Sequence, residues 1–411
     1  MKTKFFYQCI DCGKIYDPQD VIYVCPSCHM QNKSSLPPRG VLKTLYQYKD
    51  IKGRVKNFNE LEKQSFIDVL PIINAHSLPF LKIGNTPFYR INSLRGEKLP
   101  FSLFLKDDSQ NPTFSYKDRA SAIVSAYAKE HGLETIVAAS TGNAGSSLAG
   151  ICAAQQQKAI IMVPATAPIA KLIQIVMYGA TIIPVKGSYD HAFDLSIKAT
   201  EELGWYNRNT AFNPLTIEGK KTVSFELFKQ MKYRIPDRIF VPVGDGVIIS
   251  GVYKGFEDLL KLEFIKKMPT IVAVQSAGSD NLTRNIFTQQ FEVKSSNTIA
   301  DSISVDIPRN FYMTKHFIKK YSGEIITITD EEILTASKIL SNTTGVFAEP
   351  AAAAAFAGML KYHEKNMLHE HSRNVILLTG SGLKDLKSIR SIIKIPEPII
   401  PTIDNLKKIM P

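Results

Sequence analysis

Residues 238–256 read RIFVPVGDGVIISGVYKGF. A short β-rich run meets a turn with glycine at 244 and 246, and an apolar helical run follows, so the stretch is one strand–turn–helix unit. The same grammar recurs along the chain. SLFLKDD (102–108) reads as a strand, and KDRASAIVSAYAKEHG (117–132) as a helix with apolar residues at Ala120, Ile123, Val124 and Tyr127 and a stop at Gly132. TIVAAS (135–140) is a strand, and TGNAG (141–145) turns it into a helix. AIIMVP (159–164) is a strand followed by a helix through Lys171 to Tyr178. ATIIPV (180–185) leads into the helix YDHAFDLSIKATEELG (189–204). TIVAVQS (270–276) and NVILLTG (374–380) are later strands. Short strands alternating with helices imply an α/β fold with parallel sheets and right-handed crossovers. Ligands of such sheets bind beyond the carboxyl ends of the strands. Three loops belong there: STGNAG (140–145), PVGDGVIISG (242–251) and LTGSGLKD (378–385).

Each loop has a bland reading beside a chemical one. In PVGDGVIISG, Gly244 and Gly246 let successive N–H groups point inward, and the following helix favours a phosphate there. The spacing is neither a P-loop nor the dinucleotide fingerprint, and a tight structural turn explains it as well. In STGNAG, Ser140, Thr141 and Asn143 with free backbone N–H groups form a cup for a carboxylate or a ring hydroxyl; an ordinary helix cap is the alternative. In LTGSGLKD, Thr379 is a hydroxyl on a strand tip or a plain turn residue. A fourth stretch, NPTFSYKDR (111–119), places Lys117 among turn formers and aromatics. It is either a solvated charged helix start or a nucleophile. One special lysine, a phosphate nest and hydroxyls on strand tips together suit pyridoxal phosphate: the lysine for the Schiff base, the nest for the phosphate, one partner each for ring nitrogen and ring oxygen.

The chain has 411 residues, 44% of them hydrophobic and 21% charged, enough for two or three domains with real cores. No apolar run approaches the ~20 residues of a membrane helix; the alanine-rich AEPAAAAAFAGML (348–360) is too short. No membrane partner, no secretory signal and a cytoplasmic location are the expectations. The net charge of +12 is spread along the chain without a basic arm, which argues against nucleic acid and fits surface lysines with a mild pull on anionic metabolites. There is no Walker lysine motif, H-E-x-x-H, G-x-S-x-G or internal repeat. The eight histidines do not cluster at metal spacing.

At the N-terminus, Cys9, Cys12, Cys25 and Cys28 form two C-x2-C knuckles twelve residues apart. Four facing thiolates suit a structural Zn²⁺ with no open position. Two disulfides or a metal-free ribbon remain as alternatives, and a cytosolic chain disfavours the first. The intervening GKIYDPQDVIYV (13–24) alternates like a small hairpin. Cys152 is a buried small hydrophobe inside SSLAGICAAQQQ (146–157). Residues 34–78 read as a connector with a short helix in NELEKQSFIDVL (59–70), and the proline-rich tail from Ile395 as a surface segment.

NPTFSYKDR, STGNAG, EGKKTVSFE (218–226), PVGDGVIISG, the run from Ile328 to Gly358 and LTGSGLKD together resemble threonine synthase and its close relatives among the fold type II pyridoxal-phosphate enzymes, over about residues 80 to 390. The resemblance implies two parallel-sheet α/β domains of the tryptophan synthase β-like architecture: a large cofactor-binding domain over 79–114 and 216–396, and a small α/β domain over 115–215. A zinc ribbon over 1–33, the connector over 34–78 and a tail over 397–411 complete the expected division. Carried over, Lys117 is the Schiff-base lysine, anchor and general base. Asn143 faces the ring oxygen, Thr379 the ring nitrogen, and Gly244, Asp245, Gly246, Val247 and Ile248 the cofactor phosphate. Ser140, Thr141 and Gly142 hold the carboxylate of a small amino-acid substrate, and Lys171 its phosphate. The implied reaction is O-phosphohomoserine plus water to threonine plus phosphate, with Zn²⁺ as a structural ion and a homodimer as the expected assembly.

The chain departs from the pattern at Phe114, where the family has Gly, at Tyr116, where it has Phe, and at Ala144, where a hydroxyl residue is usual. In NTAFNPLTIEG (209–219), Thr216 stands for the usual phosphate-binding Arg and Ala211 for Ser. Arg208 is a candidate substitute. Two alternatives follow: β-elimination or β-replacement on serine, threonine or phosphoserine, and a non-catalytic cofactor-binding regulator.

Overall fold

The computed structural model describes residues 3–33, 35–393 and 395–409. Three sheets organise them. Near the N-terminus, β1 (Phe5–Cys9), β2 (Ile15–Tyr16) and β3 (Leu42–Tyr46) form a small antiparallel sheet in the order β2-β1-β3. The sequence placed a hairpin within 13–24. Instead β2 folds back on β1 across the first cysteine knuckle, and the residues after it turn on the Asp17 side chain, which accepts the Gln19 N–H at 2.9 Å. The third strand comes from the stretch read as connector: β3 runs along β1 from Phe5↔Tyr46 to Cys9↔Leu42.

Strands β4 (Phe88–Leu94) and β5 (Glu97–Asp107) form an antiparallel hairpin. The first was not read from sequence, since its residues are mostly exposed and no turn former but Gly96 marks the bend. Arg95 and Gly96 both adopt positive φ (51° and 85°), the mirror-type turn whose twist suits a hairpin. The smaller parallel sheet contains β6 (Thr135–Ala139), β7 (Lys158–Pro164), β8 (Thr181–Val185) and β9 (Tyr206–Asn207) in the order β8-β7-β6-β9. The larger sheet adds β10 (Arg238–Pro242), β11 (Thr270–Ser276), β12 (Glu324–Ile328) and β13 (Arg373–Leu378) to the hairpin, in the order β12-β11-β10-β13-β5-β4. All its pairings except β4–β5 are parallel. Helices cover both faces, so β10, β11 and β13 are continuous apolar runs buried on each side. The fold is the α/β architecture with two parallel sheets that the strand–helix alternation implies.

The small N-terminal sheet is fastened to the rest through buried charge. Tyr46, at the end of β3, donates to Glu218 at 2.5 Å, and Tyr48 donates to Asp258 at 2.6 Å. Glu218 lies on the helix Leu215–Lys220 and Asp258 on the helix Val247–Lys261. Lys221 and Lys254 neutralise the two carboxylates, and all four charged side chains are 1% exposed or less. Among the described residues no helix is long and apolar enough to cross a membrane.

Candidate active site

The loop carrying Lys117 is stitched to the tip of β13. The Tyr116 N–H donates to the Thr379 carbonyl at 2.9 Å, and Ser115 bridges Gly380. Phe114 takes the left-handed conformation, φ 68°, at the position where the resembled family has glycine. The helix Lys117–Glu130 follows at once. The two charges beside the lysine are not a solvated patch. Asp118 is fully buried and accepts the Thr113 N–H at 2.7 Å. Arg119 is 2% exposed and pairs with Asp108 at 2.5 Å and with Glu226 at 2.5 Å. Both lock the loop. Lys117 is left without an ion pair among the described residues. Burial pushes its ammonium pKa down, Glu349 opposes that shift, and Arg208 adds to it. Its place at a helix N-terminus disfavours the cation further. Burial and the helix end both favour the uncharged, more nucleophilic form of the amine.

Lys117 lines a cavity of about 570 Å³ between the carboxyl ends of the two parallel sheets. Ser140, Thr141, Gly142 and Asn143 line it from the tip of β6. The helix Asn143–Gln155 starts there with no side-chain cap, so its first N–H groups are free to meet a ligand. Residues 244–248 line it from the tip of β10. Gly246, φ 86°, caps the helix Val247–Lys261 in a conformation only glycine takes easily, again without a side-chain cap. A Cβ on Gly244 would lie 2.9 Å from Ile303 Cα, so this turn needs glycine for closeness as well. Asp245, between the two glycines, accepts the Arg309 N–H at 3.1 Å. Thr379, 2% exposed, completes the wall from β13.

Asn143 is engaged from the opposite side. Its Nδ2 donates to both carboxylate oxygens of Glu349 at 3.0 Å and to Ser302 Oγ at 3.3 Å. Glu349 was not singled out from sequence. It precedes Pro350 at the start of the alanine-rich helix and is 2% exposed; burial raises its carboxyl pKa and Lys117 opposes this. An acidic residue heading an apolar alanine run was the available signal. Lys171 does not line the cavity: its Nζ pairs at 2.8 Å with Asp301, which does. Thr216, expected near a substrate phosphate, is fully buried with its hydroxyl on the Asn213 carbonyl at 2.8 Å, away from the cavity lining. Arg208 and Lys220 line the cavity instead, and Lys220 was missed because its neighbour Lys221 looks identical in sequence.

The four N-terminal cysteines converge. Their Sγ atoms all lie within 4.8 Å of one another, with Cys9–Cys28 and Cys12–Cys25 each at 3.8 Å. A disulfide needs about 2 Å, and all five cysteines are free. A tetrahedron with metal–sulfur bonds of about 2.3 Å has edges of about 3.8 Å, so the donor set matches a closed four-thiolate metal centre. Cys152 is buried in the helix Asn143–Gln155, as expected.

The cavity fits pyridoxal phosphate by its own chemistry. A desolvated amine faces it on one side, and an uncapped helix N-terminus with two glycines faces it on another. Residues 80–380 match the family model "Pyridoxal-phosphate dependent enzyme". The chain is 34% identical to the threonine synthase of Methanocaldococcus jannaschii over 92% of each chain. It is 30% identical to that of Methanosarcina acetivorans over 98% of each. Among solved structures, maize serine racemase superposes with TM-score 0.63 at 26% identity over 75% of this chain and 92% of its own. A lysine amine and a phosphate nest facing one cavity, on two parallel sheets matched by that model over most of the chain, place the protein in the family of pyridoxal-phosphate dependent enzymes.

Proposed function

We propose that the protein is a threonine synthase, a pyridoxal-phosphate dependent lyase that converts O-phosphohomoserine and water to threonine and phosphate. The observation that carries this reading is similarity to threonine synthases over nearly the whole chain, joined to a cavity with an unpaired lysine. The N–H groups of residues 244–248 would hold the cofactor phosphate, Thr379 would face its ring nitrogen, and Asn143 its ring oxygen. When bound, the cofactor supplies an electron sink for negative charge at the substrate's Cα. Lys117 Nζ is the attachment amine. As a free amine it would take the proton from the substrate's Cα and later move protons at Cβ, a role its lowered pKa suits. Ser140, Thr141 and Gly142 offer hydroxyl and N–H donors to the substrate carboxylate. Glu349 holds Asn143 in place through both oxygens. Lys171 pairs at 2.8 Å with Asp301, which lines the cavity. The four cysteines bind Zn²⁺ in a purely structural role.

One observation favours a second reading, elimination or replacement on serine, threonine or phosphoserine: the position of the family's phosphate-binding arginine is a threonine turned away from the cavity. Incubation of the purified enzyme with O-phosphohomoserine, O-phosphoserine, threonine and serine, with assays for phosphate, 2-oxoacid and new amino acid, separates the two. Threonine and phosphate from O-phosphohomoserine support the first; 2-oxobutanoate from threonine with the phosphoester untouched would sink it.

A further inference from the structure

The cavity carries more positive charge than the cofactor phosphate uses. Arg208 is 1% exposed and has no carboxylate within bonding distance among the described residues. Its Nε donates to Ser121 Oγ at 3.2 Å and its Nη1 to Thr210 Oγ1 at 3.1 Å, but Nη2 has no partner among the described residues. Lys220 is 1% exposed, lines the same cavity and makes no side-chain hydrogen bond or ion pair among the described residues. A buried guanidinium with an orphan donor is costly, and a second buried amine beside it more so. Such a pair persists where an anion completes it.

The surroundings hold both groups in place. Tyr116 is fully buried and donates its hydroxyl to the Lys220 carbonyl at 2.6 Å, which pins the end of the helix Leu215–Lys220 to the loop that carries Lys117. Phenylalanine, the usual family residue there, has no such hydroxyl. A Cβ on Gly251 would lie 2.7 Å from Lys220 Cβ, so the cofactor-side helix is also close-packed against this lysine. We propose that Arg208 and Lys220 form a second dianion subsite, separate from the glycine nest, that binds the side-chain phosphate of the amino-acid substrate in place of the arginine replaced by Thr216. The proposal deepens the threonine synthase reading and rests on it for the identity of the phosphate's carrier.

The subsite has a proton signature. Burial, Arg208 and Lys117 all push the Lys220 pKa well down, and Asp245 alone among its near neighbours opposes them. Tyr189 and the Asp190–Arg309 pair stand elsewhere on the cavity wall. An arriving dianion pushes the Lys220 pKa back up, so affinity falls as pH rises.

Calorimetric titration of the cofactor-loaded enzyme with inorganic phosphate tests this. The expected result is saturable binding, weakened about ten- to a hundredfold in Arg208→Gln and in Lys220→Gln while the cofactor's visible absorption band persists. No binding of phosphate to the unaltered enzyme overturns the proposal, and that measurement needs no variant to fold. Equal affinity in enzyme and variants overturns it too. Loss of the visible band in both variants would mean that the pair holds the cofactor's own phosphate, and also overturns it. Phosphate binding at the pair without turnover of O-phosphohomoserine would leave the subsite standing and refute the functional reading alone.

Discussion

Asp258→Asn tests whether the charge cluster under β3 is held together as a unit. Asp258 is fully buried; it accepts from Lys254 at 2.5 Å, from Tyr48 at 2.6 Å and from Lys221 at 2.7 Å. The two lysines hold its carboxyl below the usual range. With Asp258 neutral, two buried ammonium groups share Glu218 alone, and the Lys254–Glu218 contact is already long at 3.8 Å. Breaking a buried pair from one side costs about 3–5 kcal/mol, because the other charge is left uncompensated. For a cooperative unit of roughly 150–250 residues that corresponds to a drop in melting temperature of roughly 6–20 °C. The assay is thermal unfolding of the enzyme, Asp258→Asn, Lys254→Met and the double variant. Removing Lys254 as well leaves Lys221 and Glu218 as a neutral pair, so the double variant recovers about 1–3 kcal/mol relative to the sum of the singles. Additivity within about 0.5 kcal/mol would show that the cluster is not coupled and that this reasoning is wrong.

On the proposed reading Lys117→Ala removes the attachment amine, so the purified protein should lack the visible band of bound cofactor and turnover should fall to background; a retained band means the amine is elsewhere. Glu226 is held down to about 2 from an ordinary 4.5, against its burial, by Arg119 and Lys106. Its folded pKa is depressed, so its contribution of about 3 kcal/mol is full above pH ~4.5 and vanishes as pH falls toward ~2. Urea midpoints of the enzyme and Glu226→Gln should therefore converge over that window, and a constant gap would refute the assignment. Metal analysis should give about one zinc per chain, and a chelator strong enough to strip it should make four thiols reactive while Cys152 stays protected by burial.

The architecture was legible because buried parallel strands write themselves as uninterrupted apolar runs. β6, β10, β11 and β13 all sit where such runs end in glycine or serine turns. Strand-tip geometry then brings Ser140, Gly244 and Thr379 to one cavity although they lie far apart in the chain. β4 was hidden because an exposed edge strand needs no apolar signal and its turn begins with an arginine. Lys220 and Lys221 show the limit of local reading. They are adjacent and chemically identical, yet one end of a helix sends the first into the cavity and the second into an ion cluster with Glu218 and Asp258. Glu349 was invisible for a related reason: its partners Asn143 and Lys117 are joined to it only by the folded chain.

That divergence at positions 220 and 221 ties the N-terminal sheet to the chemistry. The metal-type knuckle ends β1 at Cys9, β1 fixes β3 over five paired residues, and Tyr46 at the end of β3 bonds Glu218. Glu218 sits two residues before Lys220 on one short helix, and Tyr116 pins the far side of that helix to the Lys117 loop. A six-residue helix is too short to hold its own geometry in isolation. Its position is set from both flanks, by the ribbon through Glu218 and by the lysine loop through Lys220. The cysteine cluster therefore need not touch substrate to matter for it: loosening β3 removes the Tyr46 bond to Glu218, and the helix that presents Lys220 to the cavity then loses one of its anchors.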